Sequence, residues 1–254
     1  MDRINHILSL KLTKKIPKNN YLSSLPIVKN LQRIKEISFK TPITFLVGEN
    51  GIGKSTIIEA IAINYGFNPE GGTKDYNFVS KNTHSNLSEF ITLVKSHNYA
   101  KNGYFLRAET FYNLLSYRGF LDDLYTNLSY MEHMEKYKTE FDSYHKMSHG
   151  ESFLELMDSF SENGLYILDE PESALSPIGI MRLIIKINEL VKLNSQFIIS
   201  THSPMLITMP NSTIYQLTNN DIKETHYKHV EHYAIVRKFL DNPEKMLKEL
   251  LEDD

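Results

Sequence analysis

Between an apolar run and a helical pattern, residues 48–55 read Gly-Glu-Asn-Gly-Ile-Gly-Lys-Ser, which fits G-x-x-x-x-G-K-[ST]. No other stretch narrows so far what the chain can become. A loop poor in Cβ atoms can curl until successive backbone N–H groups face inward on phosphate oxygens. The motif needs a strand before it and a helix after it, and the sequence predicts both. Ile43, Phe45, Leu46 and Val47 form a short β-prone run, and Ile57, Ile58, Ile61 and Tyr65 recur at helical spacing up to Gly66. The start of that helix adds a partial positive charge. Gly48, Glu49, Asn50, Gly51, Gly53, Lys54, Ser55 and Thr56 are therefore the expected phosphate-binding residues. Lys54 would bring a point charge to β/γ oxygens, and Ser55 a hydroxyl ligand to Mg2+.

Upstream, Ile7–Leu12 and Ile37–Phe39 are β-prone pieces interrupted by Pro17, Pro26 and Pro42, which predicts a small antiparallel layer feeding the strand before the loop. From Asn68 to His145 helices are expected. Leu87, Phe90, Ile91 and Val94 share one helical face, with Asn86 and Glu89 spaced as a capping box. Tyr104–Arg107 reads as a buried strand, and residues 111–145 as helical. After Gly150 the pattern alternates: a helix on Phe153, Leu156, Met157 and Phe160, a strand at Leu165–Leu168, a helix on Ile180, Ile184, Ile187 and Val191, and a strand at Phe197–Ile199. Unbroken apolar strands between helices signal a parallel sheet covered on both faces. The tail from Tyr227 is expected to be helical around Tyr233, Val236 and Leu240, then Met246, Leu247 and Leu250.

Two further stretches carry chemistry. The strand at Leu165–Leu168 runs into Asp169-Glu170, placing two carboxylates at the carboxyl edge of the sheet, where open α/β sheets bind ligands. Asp169 is the expected Mg2+ ligand and Glu170 the residue that orients or activates a water. Phosphoryl transfer asks little more of a protein than such positioning and charge neutralisation. His202 follows the next apolar strand and is expected at the same edge, as a sensor of the terminal phosphate.

In order and wording these stretches resemble the ATP-binding-cassette (ABC) class of P-loop ATPases, over most of the chain from Ile43 to Pro204. Met147-Ser-His-Gly-Glu-Ser152 resembles the signature motif of that class, with Ser148 and Gly150 in the defining places and His149 and Glu151 where Gly and Gln are commoner. Asp169–Ser176 resembles the second acidic motif running into the dimer-contact loop, although Ser176 replaces the usual Asp. His202 matches the switch histidine. The resemblance implies an α/β P-loop NTPase of ABC-ATPase type: a mostly parallel sheet, an N-terminal antiparallel β layer and a helical insertion. It implies one domain over residues 1–254, with the insertion and signature at about 68–146 and a helical tail at about 227–254. It also implies ATP and Mg2+ as ligands, catalysis by Glu170, His202 and Lys54, and metal ligation by Ser55 and Asp169. Two copies would pack head to tail, Ser148, Gly150 and Glu151 of one reaching the γ-phosphate held by the other. One departure stands out: members usually carry a coupling Gln after the strand that follows the first helix. The comparable piece here is Tyr104–Thr110, so Arg107 or Glu109 stands in or the coupling differs. That piece, with the glycine loop and the Asp-Glu-Pro-Glu stretch, resembles small stand-alone bacterial ATPases described as AAA-family or ABC-type. An adenine-stacking aromatic is expected in the N-terminal layer, Tyr21 being the choice.

The remaining features bound partners and location. At 254 residues and 41% hydrophobic, the chain can bury one large α/β core. It has no Cys, hence neither disulfides nor thiolate metal sites. A net charge of −3 exerts no global pull on nucleic acid, which leaves a nucleic-acid partner open, and the basic run Lys11–Lys18 reads as a solvated loop. No apolar run reaches the ~18 residues of a membrane span, and Met1–His6 lacks an apolar signal core, so the cytoplasm is expected. His226, His229 and His232 recur every third residue, a row that would drift round a helix and that reads as surface or partner contact rather than a metal site. The expected activity is hydrolysis of ATP to ADP and phosphate, gating or driving an effector protein in DNA repair, genome maintenance or phage defence. The alternatives are the nucleotide-binding subunit of a membrane transporter, and a module that uses ATP only for assembly.

Overall fold

The computed structural model describes residues 5–73, 85–107 and 149–251. Its strands are β1 (Ile7–Leu12), β2 (Glu36–Ser38), β3 (Ile43–Gly48), β4 (Ile91–Lys95), β5 (Asn102–Arg107), β6 (Gly164–Asp169), β7 (Gln196–Ser200), β8 (Ser212–Leu217) and β9 (Ile222–Thr225). The helices are α1 (Pro26–Ile34), α2 (Lys54–Tyr65), α3 (His149–Asp158), α4 (Pro177–Lys192), α5 (Glu231–Asp241) and α6 (Pro243–Leu251). The central sheet runs β5-β6-β7-β3-β8-β9, parallel except for the last pair. A second, antiparallel sheet runs β2-β1-β4.

Alternation along the central strands explains their unbroken apolarity. Leu46, Leu165, Ile167 and Ile198 point to a core shared with α1, α2 and the antiparallel layer. Phe45, Val47, Tyr166, Leu168, Phe197 and Ile199 point to a second core under α3 and α4. Both faces are covered, so apolar residues predominate in both registers, with Thr44 in β3 a buried exception. Helix α2 lies between the two sheets, which is why Ile57, Ile58, Ala60, Ile61 and Ala62 are buried almost all round rather than along one stripe. Each buried Ile there stabilises the fold by about 1.5–3 kcal/mol. The two sheets are also joined by a polar link: the Gln196 amide accepts from Ile7 N at 2.8 Å and donates to Ile7 O at 2.9 Å, in a buried setting where β1 has a register shift between Ile7 and Ser9.

Two expectations are corrected. Leu87 to Val94 is not a helix: Asn86–Glu89 is a single 3-10 turn capped by Ser85, whose Oγ accepts from Leu87 N, and Ile91–Lys95 is β4. The N-terminal layer is therefore completed by a strand from beyond α2. Pro26, read as an interruption, instead opens α1 from its first position, where a missing N–H costs nothing. The expected helices over residues 111–145 lie outside the described residues.

Candidate functional site

Parallel pairing carries β3, β6 and β7 to one edge together. Asp169 pairs with Ser200 across β6 and β7, Leu46 pairs with Ser200 across β3 and β7, and Thr201 N donates to Leu46 O at 3.2 Å. The glycine loop, the acidic pair and the His202 segment are thus neighbours although more than 110 residues separate the first from the others.

The loop is built on close approach. A Cβ at Gly48 would lie 2.4 Å from Leu217 O, and one at Gly53, where φ is +102°, would lie 2.3 Å from Ile27 Cγ2. Helix α1 holds the loop from outside, with Ile27 N donating to Ile52 O at 3.2 Å. Lys54, nearly fully buried at the first turn of α2, donates to Gly48 O at 2.9 Å and to Glu49 O at 3.1 Å. Ser55 is exposed beside it, near the Asp169 carboxylate, which accepts from Ser200 Oγ. Burial pushes the Asp169 carboxyl above its usual range, and those two hydroxyls oppose the shift.

Glu170 has φ +49°, a left-handed conformation that costs a non-glycine residue on the order of 1–3 kcal/mol. It is held by its own N–H, which donates to Ser200 O at 3.0 Å, and by the turn that Pro171 opens. The bend returns the side chain to the glycine loop, placing Glu170 Oε1 at 3.9 Å from Lys54 Nζ and 3.4 Å from His202 Nε2. Lys54, Ser55, Asp169, Glu170 and His202 therefore converge as the motifs imply. Two models of AAA domains match the chain, one over residues 27–143 and one, whose description also names the AbiEii toxin and a type IV TA system, over residues 132–208.

The fold is α/β, a mostly parallel six-stranded sheet joined to a three-stranded antiparallel sheet with helices on both faces. Solved structures similar to it include a nucleotide-free ATP-binding cassette from an ABC transporter, at 15% identity over 97% of this chain and 99% of that one, TM-score 0.45. A dimeric bacterial ABC transporter cassette matches at 15% identity over 87% and 99%, TM-score 0.42. The cbiO1 protein from Clostridium perfringens, part of the ABC transporter complex cbiONQ, matches at 14% identity over 98% and 100%, TM-score 0.39. No protein of curated function matches the sequence.

Within this fold the other expected residues fall unevenly. Asn50 and Gly51 are exposed at the loop tip and Thr56 is half-buried in α2. Gly150 and Glu151 lie in the backbone of α3, while Ser148 and Glu109 lie outside the described residues. Tyr21, in a 3-10 turn before α1, is exposed. Arg107 ends β5 opposite Asp169 and donates from Nη1 to Glu59 Oε2 of α2 at 2.6 Å, while Glu59 Oε1 accepts from Ser85 N. Among the described residues no helix is long and apolar enough to cross a membrane.

The geometry adds two residues that the sequence reading did not assign. Glu172 Oε1 accepts from His202 N at 2.5 Å and from Ser203 N at 3.1 Å, tying the loop after β6 to the loop after β7. Its position two residues after Glu170 was the only available signal. His232 reaches the other side of His202, its Nε2 3.3 Å from His202 Nδ1. The three histidines do not share a helix: His226 caps the turn Tyr227–His229, and His232 lies in the first turn of α5.

Proposed function

We propose that this chain binds and hydrolyses Mg-ATP in the cytoplasm as a nucleotide-bridged homodimer, and that the cycle of pairing and release gates an effector protein. The single observation that carries the reading is the convergence of Lys54, Glu170 and His202 on the glycine loop. His202 Nε2 is buried, lies 3.4 Å from Glu170 Oε1 and has no hydrogen-bond partner among the described residues, which leaves it open to the terminal phosphate of a nucleotide. The residues present also suit the metal. Asp169 is a buried carboxylate beside the Ser55 hydroxyl, and its burial cost falls when a divalent cation is near. Bound Mg2+ would neutralise phosphate charge. This chain's own residues do the rest: backbone N–H groups and Lys54 hold the phosphates, Glu170 accepts a proton from or orients the attacking water, and His202 steadies the transferred group. Arg107 or Glu109 would couple the site to the insertion, and Tyr21 would stack on adenine.

The pairing places Ser148, Gly150 and Glu151 of one copy against the nucleotide of the other, a reading supported by the signature wording and by the dimeric cassette among similar structures. Of the biological settings, DNA repair and phage defence, the toxin–antitoxin wording of the second family model favours defence.

Replacing Glu170 by Gln keeps the shape and removes the proton acceptor. Glu170→Gln is expected to accumulate as a dimer in saturating Mg-ATP, seen as a doubled mass by light scattering, while wild type cycles back to monomer. A monomeric Glu170→Gln protein with nucleotide bound would remove the pairing from the proposal.

A further inference from the structure

Resting on the reading of His202 as the phosphate-facing residue, we infer that His232 is a positioning residue that fixes which nitrogen of His202 carries the proton. His202 has two ring nitrogens and two neighbours. Its Nε2 lies 3.4 Å from the Glu170 carboxylate, and its Nδ1 lies 3.3 Å from His232 Nε2, the rings meeting edge to face with centroids 5.0 Å apart. Burial and the nearby Lys54 ammonium hold the His202 pKa below its ordinary value, so near neutral pH the ring carries one N–H. Only one placement of that proton suits both sides. With the proton on Nδ1, the bare Nε2 would face a carboxylate oxygen, and later phosphate oxygens, lone pair to lone pair. With the proton on Nε2 the ring donates toward them, and Nδ1 must then accept. His232 Nε2–H is the donor that makes this tautomer the stable one.

Among the described residues no backbone group bonds to His202 Nδ1. Glu172 holds His202 by its main-chain N–H at 2.5 Å, which fixes the position of the residue and leaves the ring free to turn. The contact comes from α5, which begins at Glu231 after β9 and continues into α6. The tautomer of the phosphate-facing histidine is thereby set by the element that leads into the C-terminal helical pair, and movement of that pair would reach the site through one hydrogen bond.

Three variants separate the role from a merely structural one. His232→Gln keeps an N–H donor near the position of Nε2, His232→Leu removes it, and His232→Glu offers only an acceptor. With nitrogen-15-labelled imidazoles, long-range NMR correlations in the wild-type protein should show His202 protonated on Nε2. The Glu variant should move the proton to Nδ1 or add a second one, and the Leu variant should show mixed tautomers. In steady-state ATP hydrolysis kcat should fall about tenfold for Leu and for Glu, as expected for losing an oriented hydrogen bond at a developing charge. KM should change less than twofold, and Gln should recover most of the loss. Wild-type His202 protonated on Nδ1 would overturn the inference, as would Gln failing alongside Leu. The tautomer is read without turnover, so a protein that shows Nε2 protonation yet no ATP hydrolysis would refute the ATPase reading and leave the positioning contact standing. A Leu variant with wild-type kcat and tautomer would do the reverse.

Discussion

Lys54 holds a cation in a nearly fully buried place. Burial drives its pKa down, and the charges of Glu170, Asp169 and Glu172 oppose that shift. Its ammonium rests on the Gly48 and Glu49 carbonyls, so it is oriented into the curl of the loop before any phosphate arrives. Lys54→Ala should weaken ATP binding at least about 100-fold by calorimetry, since charge-assisted bonds of this kind contribute on the order of 1.5–3 kcal/mol each. Unchanged affinity would remove the loop from the site. The other titrating member is His202, flanked by Lys54, Glu170 and His232, whose pKa is held below the ordinary 6.5, burial being the leading cause. A histidine with a lowered folded-state pKa binds its proton in the unfolded chain first. Stability from His202 is therefore fully present above about pH 6.5 and falls as pH drops from there toward the folded-state value. Thermal melts taken from about pH 7.5 down to about pH 5 should show wild type losing more stability than His202→Gln over that window. Parallel curves would mean that the imidazole is not the group being titrated.

At the scale of elements, the central sheet needs its polar link as much as its apolar faces. Gln196 satisfies both main-chain groups of Ile7 across the two sheets. Gln196→Leu would keep the volume roughly constant and leave a buried N–H and C=O without partners, each costing about 1–3 kcal/mol. The expected result is a loss of about 2–4 kcal/mol in denaturant unfolding, with nucleotide affinity little changed because Gln196 sits at the start of β7, the end of the strand away from the loops. A loss under about 0.5 kcal/mol would show that water replaces the amide. The elements themselves were unequally legible from sequence. β3, β6 and β7 announce themselves because strands buried on both faces are mostly apolar, and their carboxyl ends then bring the glycine loop, Asp169-Glu170 and His202 to one edge. β4 was misread because Leu87, Phe90, Ile91 and Val94 mimic a helical face, whereas the burial alternates from Ile91 to Leu93 around exposed Thr92. α1 was missed because Pro26 breaks a strand and starts a helix with equal ease. β8 and β9 were not read at all: polar Ser212, Thr213 and Gln216 interrupt the first, and the second is four residues long. No local pattern could have found the contact of His232 with His202, since only the packing of α5 against the sheet edge creates it.

For the whole molecule, the proposed mechanism makes each site the property of two chains. A dimer with two-fold symmetry holds two equivalent sites, each built from the glycine loop of one protomer and Ser148 of the other. Lys54→Ala damages the site its own loop forms, and Ser148→Arg damages the site its partner's loop forms. Each variant alone spoils both sites of its homodimer and should hydrolyse no ATP. In a mixed dimer the two lesions fall on the same site, because the altered loop of the first chain faces the altered serine position of the second. The other site then combines an intact loop with an intact serine. Random pairing of equal amounts makes half the dimers mixed, each with one sound site in two, so the mixture should regain about a quarter of wild-type turnover. A chain that completes its site within itself gives no such recovery at any ratio. Absence of recovery in a mixture shown by native mass spectrometry to contain the mixed dimer would therefore place Lys54 and Ser148 outside a common shared site, while recovery near a quarter cannot arise from either protein acting alone.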